Sequence, residues 1–128
     1  MASAMTPLAI DPAPRPLGRS ALRAFPLAYG CWRFAGTDVR RGREKIEAAR
    51  GIGIDLFDHA DIYGGDGAAE ELFGRVLADA PGLRDGMLIA SKCGIVPGVP
   101  YDSSRTHILR SCEGSLRRLG VDTIDLYQ

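Results

Sequence analysis

Three side chains that could move a proton stand at the ends of apolar runs in this sequence. Asp58 follows the largely apolar run 52–57, Tyr63 comes five positions later, and Lys92 follows a second apolar run, 87–91. The chain has only two lysines against fourteen arginines. A lysine at such a place indicates a need for a compact ammonium whose protonation can be tuned, which arginine does not provide. Acid, phenol and amine together can form a proton donor.

Other interpretations of these residues stay open at this level. An acid and a lysine at strand ends form a structural ion pair about as often as a functional site, and a tyrosine after a strand is more often a packing residue. Asp58, His59 and Asp61 could also be read as metal ligands. Neighbours on an extended segment point to opposite faces, however, so we expect no metal.

The charge balance of the chain argues against partners that are attracted by a large net charge. Sixteen basic and sixteen acidic side chains give a formal net charge of zero. We therefore expect no nucleic-acid partner and no binding to an anionic membrane surface. The densest basic cluster, Arg40, Arg41 and Arg43, opens a helix-like segment and is predicted to be a solvated surface.

The cysteines and the amino terminus favour a cytoplasmic protein. Cys31, Cys93 and Cys112 are odd in number and widely separated, so neither a disulfide framework nor a zinc site is indicated. Prolines interrupt the amino-terminal residues, and no apolar run approaches the length of a membrane span. We expect an unexported protein in a reducing compartment.

The elements that must position the three side chains alternate between strands and helices. Residues 1–15 are predicted to be a flexible arm, and 16–128 a single folded unit. A short hairpin of 17–22 and 25–30 leads into the first strand. The later predicted elements are strands at 52–58, 87–91 and 122–128 and helices at 38–50, 68–80 and about 104–119. The third helix is predicted to bury one apolar stripe, made of Ile108, Leu109, Cys112, Leu116 and Leu119.

This alternation predicts right-handed crossovers and a parallel sheet. Four strands with three helices are compatible with an open doubly wound sheet or with an arc of a (β/α)₈ barrel, and the spacing alone does not choose between them. The absence of G-x-G-x-x-G after the first strand weakens the dinucleotide-binding version of the open sheet.

Six short motifs, in this order and at these distances, resemble the aldo-keto reductases. They are LGRSAL (17–22), GCW (30–32), FDHADIYG (57–64), SKCG (91–94), EGSLRRLG (113–120) and DLY (125–127). The resemblance implies an α/β fold, a (β/α)₈ barrel of which residues 16–128 would hold only about the first four β/α units. It also implies NADPH as the cofactor and an aldehyde or ketone as the small-molecule substrate.

The resemblance assigns roles to the three residues of the opening argument. The family's catalytic tetrad is Asp, Tyr, Lys and His, and Asp58, Tyr63 and Lys92 match the first three. The histidine would follow the DLY strand by one or two residues, where this sequence has reached Gln128, and neither histidine of the chain lies on that strand. The chain as given would then be an incomplete enzyme.

In the implied mechanism Tyr63 gives its phenolic proton to the carbonyl oxygen while a hydride arrives from the nicotinamide. The Lys92 ammonium would stabilise the phenolate, and Asp58 would keep Lys92 charged and oriented. Residues expected to face the cofactor are Gly30, Cys31, Trp32 and Asp58. Trp32 could alternatively plug the barrel interior.

Two further hypotheses accompany the reductase. One is a non-catalytic binding subunit of the same fold, in which cofactor occupancy matters and turnover does not. The other is a truncated product that needs a partner to complete the barrel. The sequence indicates no oligomeric state and no particular carbonyl substrate.

Overall fold

The computed structural model describes residues 9–128, and residues 1–8 of the predicted arm lie outside the described part. The strands are β1 (Arg15–Pro16), β2 (Arg23–Ala24), β3 (Tyr29–Gly30), β4 (Leu56–Asp58), β5 (Leu88–Ser91) and β6 (Leu126–Tyr127). The helices are α1 (Val39–Gly51), α2 (Ala68–Asp79) and α3 (Arg105–Leu119), with short 3-10 helices at Cys31–Arg33 and Pro81–Arg84. In the described residues we find no helix with the length and hydrophobicity needed to cross a bilayer.

Strands β3 to β6 form one parallel sheet, and β1 pairs with β2 in a separate antiparallel hairpin. The order in the parallel sheet is β3-β4-β5-β6, the same as the order along the chain. An open doubly wound sheet reverses its strand order at a switch point, whereas a barrel does not. The strand order therefore favours the barrel arc over the open sheet.

Helices α1 and α3 begin at residues whose side chains cap them. Asp38 accepts a hydrogen bond from the backbone N–H of Arg41 at 2.8 Å, and Ser104 accepts one from His107 at 3.2 Å. Each cap satisfies an N–H group that has no partner inside its helix. Helix α3 ends before Gly120, whose φ of 63° is readily adopted by glycine. The three predicted helices are confirmed to within one or two residues at each end.

The strands are shorter than predicted. Predicted strand 52–58 is reduced to β4 because α1 continues to Gly51 and Ile52 caps it. Ile52 is 65% exposed, so its apolar side chain was a misleading sign of burial. Predicted strand 122–128 is reduced to β6, since only two of its residues pair with β5. Residues 17–22, expected as one arm of the hairpin, form the turn between β1 and β2.

The core lies between the parallel sheet and the helices that cover one of its faces. Phe34, Phe57 and Phe73 are each at most 1% exposed, and the Phe73 ring centroid lies 5.4 Å from that of Phe34 and 5.5 Å from that of Phe57. Helix α2 buries an apolar stripe that consists of Leu72, Phe73, Val76 and Leu77. The contact between Phe73 of α2 and Phe57 of β4 joins this helix to the sheet.

The predicted buried stripe of α3 is wrong in its first half. Leu119 is fully buried, but Ile108 and Leu109 are 38% and 50% exposed. The reason is that α2 contacts the carboxyl-terminal end of α3. There a Cβ on Gly74 of α2 would lie 2.2 Å from the backbone oxygen of Arg118. The apolar residues in the amino-terminal half of α3 are therefore only partly covered within residues 9–128.

Aspartates at the amino ends of two strands connect those strands to their neighbours. Asp55, just before β4, accepts a hydrogen bond from the backbone N–H of Phe25 at 2.9 Å. Asp125, just before β6, accepts one from Ile89 at 2.8 Å and also pairs with Arg84 at 3.3 Å. These aspartate clamps lie at the opposite end of the sheet from the proton-transfer candidates.

Candidate active site

The three candidate residues meet at the carboxyl edge of the parallel sheet. Asp58 is the last residue of β4, and Lys92 directly follows β5. The two strands are paired in parallel, with Asp58 opposite Ala90. Tyr63 lies in the turn between β4 and α2. Because carboxyl ends of adjacent parallel strands share one edge, residues far apart in sequence come together there.

The Lys92 ammonium is held by two oxygens of the β4 end. Its Nζ donates to Asp58 Oδ1 at 2.7 Å and to the main-chain oxygen of His59 at 2.6 Å. The side chains of Lys92 and Asp58 are 28% and 35% exposed, so the pair is partly shielded yet reachable. An ammonium has three N–H groups, and one is left for a third partner.

Tyr63 contacts Lys92 through its ring. The Lys92 Nζ lies 5.1 Å from the Tyr63 ring centroid, within the range of a cation–π interaction. The Tyr63 backbone is fixed on both sides, since its N–H donates to Ala60 O at 3.1 Å and its oxygen accepts from Ala69 N at 3.0 Å. The expected approach of ammonium and phenol is therefore present, but through the aromatic face instead of a hydrogen bond to the hydroxyl.

A small cavity opens beside these residues. Its volume is about 100 Å³, and its lining comprises Ala60, Asp61, Ile62, Tyr63, Lys92, Cys93 and Ile95. Small-molecule sites typically enclose roughly 300–1,000 Å³. The described residues thus enclose a small group or one part of a larger ligand. Burial, and next the charge of Glu70, raise the pKa of Asp61 in this lining.

The residues expected to face a cofactor differ in access. Gly30 is exposed, with open space where a Cβ would stand, and Trp32 is 68% exposed beside the Arg33 guanidinium. Trp32 therefore does not plug the interior of the described structure. Cys31 is fully buried, and burial raises the pKa of its thiol. The expectation for Cys31 is corrected accordingly: only its main chain can line a ligand site, because the side chain packs in the core.

His59 is a buried residue. The sequence suggests only a metal-binding role for it, which the alternation of side chains argues against. Its ring is 0% exposed and packs edge-on against Phe73, with centroids 4.5 Å apart. Neither ring nitrogen has a hydrogen-bond partner in the described residues. Burial, and next the charge of Lys92, lower the pKa of His59 to about 3, so the ring is neutral. Strand alternation could have revealed this, because His59 shares the inward face of Phe57.

A buried carboxylate behind the site was also missed. Glu70 is 0% exposed, and it accepts hydrogen bonds from Ser91 Oγ at 2.7 Å and from Arg118 Nε at 2.8 Å. Glutamate is rarely buried unless it is paired, and its place in the first turn of a helix predicts only a favourable dipole contact. The distant partner Arg118 could not be read from local sequence.

Comparisons with known proteins agree on the class of the chain. Residues 26–128 match the model of the Aldo/keto reductase family, and the chain belongs to this family. It is 44% identical over 131 residues to a 6-dehydroglucose reductase of Novosphingobium aromaticivorans, covering 97% of this chain and 43% of that protein. It is 36% identical over 114 residues to a probable voltage-gated potassium channel subunit beta of Oryza sativa, covering 86% of this chain and 34% of that protein.

Solved structures give the same result for the fold. The aldo-keto reductase AKR11C1 from Bacillus halodurans, in its holo form, superimposes with a TM-score of 0.75 at 33% identity, over 90% of this chain and 39% of that one. Aldo-keto reductases are (β/α)₈ barrels, and the described sheet and helices form part of such a barrel. The chain spans less than half the length of these relatives. The family generally uses NADH or NADPH.

Proposed function

We propose that the barrel to which this chain contributes is an NADPH-dependent reductase of aldehydes or ketones, with Tyr63 as the proton donor. The observation that carries the proposal is the Lys92 ammonium, bound to Asp58 and His59 O and lying over the Tyr63 ring. Because the chain spans 43% of the reductase it resembles, the reaction is assigned to the whole barrel.

The carboxyl edge of the sheet fits the nicotinamide end of a dinucleotide. Gly30 leaves open space above β3, Trp32 presents an exposed indole, and Asp58 and Lys92 are partly accessible beside them. NADPH, when bound, supplies the hydride. Preference for the phosphorylated cofactor over NADH rests on the resemblance to the family.

The residues of the chain supply the proton and its electrostatic support. The Tyr63 hydroxyl donates its proton to the carbonyl oxygen, and the Lys92 ammonium stabilises the phenolate that remains. Asp58 offsets the cost of holding this ammonium in a partly dry site. The formal net charge of zero supports a small-molecule substrate and no nucleic-acid partner. The three free cysteines support a reducing cytoplasm as the place of action.

Replacing Tyr63 by Phe tests the proposal. In a polypeptide that spans the whole barrel, Tyr63→Phe should lower aldehyde-dependent NADPH oxidation by roughly 10²–10⁴-fold, since it removes only the proton donor. Quenching of protein fluorescence by NADPH should be unchanged. Tyr101→Phe is the matched control, because Tyr101 is 70% exposed and lies outside the cavity. Full turnover in Tyr63→Phe would refute the assignment.

A second candidate is a cofactor-binding subunit without turnover. The similarity to the probable voltage-gated potassium channel subunit beta of Oryza sativa favours a role as a subunit. The assembled Asp58, Tyr63 and Lys92 favour the reductase, since a binding role has no need of a proton donor. Measurable aldehyde reduction by the whole barrel separates the two.

A further inference from the structure

A buried carboxylate lies behind the proposed proton-transfer residues. We infer that Glu70 is a positioning residue, which through Ser91 holds Lys92 in place relative to Tyr63. This inference rests on the function proposed above, and it adds a residue that touches neither the carbonyl substrate nor the cofactor.

Glu70 is enclosed, and both of its oxygens are bonded. It lies in the first turn of α2 with no exposed surface. Oε1 accepts the Ser91 hydroxyl at 2.7 Å, and Oε2 accepts Arg118 Nε at 2.8 Å. A buried carboxylate persists in a folded protein only when charge and hydrogen bonds compensate it, which restricts where its partners can lie. The side chain therefore fixes α2, β5 and α3 relative to one another.

The same turn of α2 contacts both segments that carry the proton-transfer residues. Ala69 donates its backbone N–H to the Tyr63 oxygen at 3.0 Å. The next residue, Glu70, holds Ser91, which is covalently joined to Lys92. Two adjacent residues of one helix thus set the spacing between Tyr63 and Lys92.

Loss of this contact should act on Lys92 first. Ser91 is fully buried, and its hydroxyl donates to Glu70. Without that bond the end of β5 gains freedom, and Lys92 spends less time bound to Asp58. A displacement of about 1 Å at a reacting group can cost about 10²-fold in rate. An ammonium released from its oxygens also becomes more accessible to reagents in solution.

The two lysines of the chain provide a readout that needs no turnover. Modification by trinitrobenzenesulfonate, followed by peptide mass spectrometry, gives the rate for each lysine. Lys45 lies on α1, outside the network, so the ratio of the Lys92 rate to the Lys45 rate cancels general changes in the protein. Ser91→Ala removes the hydroxyl with little change of volume, and the ratio should rise several-fold.

A second variant removes the acceptor while keeping the fold. Glu70→Met combined with Arg118→Met replaces the buried ion pair by apolar side chains of similar size, an exchange that is often neutral for stability. The ratio should again rise several-fold. Glu71→Gln is the matched control, because Glu71 is an exposed acid in the same helical turn, and its ratio should equal that of the unchanged chain.

Each outcome decides the inference. A raised ratio in Ser91→Ala and in the double variant supports a positioning role. An unchanged ratio in Ser91→Ala overturns it, as does an unchanged ratio in a folded double variant, since the network would then act on stability alone. If the double variant does not fold, Ser91→Ala decides. The result stands apart from the Tyr63→Phe experiment, which tests the reaction itself.

Discussion

At the scale of single residues, His59 shows how closely the site is packed against the core. Its main-chain oxygen holds the Lys92 ammonium, while its ring lies on the other side of the strand against Phe73. Burial of the ring and the nearby positive charge of Lys92 each oppose its protonation. His59 therefore connects the packing of the core around Phe73 to the position of the Lys92 ammonium.

We expect the neutral His59 to make the fold sensitive to acid. The pKa of His59 is about 3 in the folded chain and 6.5 as the ordinary value, so the unfolded chain takes up the proton first. The stabilising contribution is complete above pH 6.5 and is lost progressively as the pH falls from 6.5 towards 3. From pH 7 to pH 5 this one group should lower the free energy of unfolding by about 2 kcal/mol.

Urea unfolding at the two pH values measures the effect. His59→Leu should reduce the loss of stability between pH 7 and pH 5 by about that amount. The other histidine, His107, is present in both proteins and cancels in the comparison. An identical loss in the variant and the unchanged chain would show that His59 is not buried in its neutral form.

Single residues were predictable where their chemistry depends on position along one strand. The meeting of Asp58 and Lys92 follows from two parallel strands that end at one edge, and the sequence shows both strand ends. Glu70 was not predictable as a buried residue, because its compensating partner Arg118 is 48 positions away. Burial of Cys31 depends on the path of the chain after β3, which no periodic pattern reports.

At the scale of elements, the approach of α2 to α3 decides how the helices cover the sheet. Gly74 lies where the two helices touch, and a Cβ there would lie 2.2 Å from Arg118 O and 2.9 Å from the Leu119 carbonyl carbon. Backbone atoms cannot move aside as side chains can. The observed packing of α2 on α3 therefore requires glycine at position 74, where a hydrogen takes the place of Cβ.

Gly74→Ala should destabilise the fold by about 1–3 kcal/mol, the usual cost of overpacking. Gly51→Ala is the matched control in α1, where a Cβ meets nothing within 4 Å. That change should be neutral or stabilise by up to about 1 kcal/mol, because alanine is the better helix former. Chemical unfolding of both variants measures the contrast, and equal effects would contradict the close approach.

Helices were predicted more accurately than strands for a physical reason. Caps such as Asp38 and Ser104 act within a few residues, so they can be read locally. Strand ends are set by pairing with a neighbour that is distant in sequence, and an apolar residue such as Ile52 can lie in a cap instead. The exposed start of α3 was missed because periodicity reports an apolar face without reporting what covers it.

At the scale of the whole molecule, the described sheet has β3 and β6 at its two edges. Ile108 and Leu109 add exposed apolar surface near the β6 side, and Ile108 shares a cavity lining with Tyr127. Exposed strand edges beside apolar surface promote association with other chains. The chain spans less than half the length of its relatives, which agrees with surfaces that are covered in a whole barrel.

The 128-residue chain by itself should therefore self-associate as its concentration rises. Leu109→Glu places a charge on the exposed half of α3 and should lower the average mass in sedimentation equilibrium. Ile52→Glu is the control, since Ile52 is 65% exposed at the end of α1, away from that surface. Equal masses for all three proteins would show that this face of α3 takes no part in association.

The aspartate clamps have a consequence for how such a protein can change. The sequence Ile-Asp-Leu followed by an aromatic residue occurs at 54–57 and again at 124–127, and each aspartate clips its strand to the preceding segment. The strand register is thus fixed at one edge of the sheet, and the proton-transfer candidates lie at the opposite edge. We therefore expect that loops at the edge with the proton-transfer candidates can be replaced by other sequences without changing the alignment of the strands.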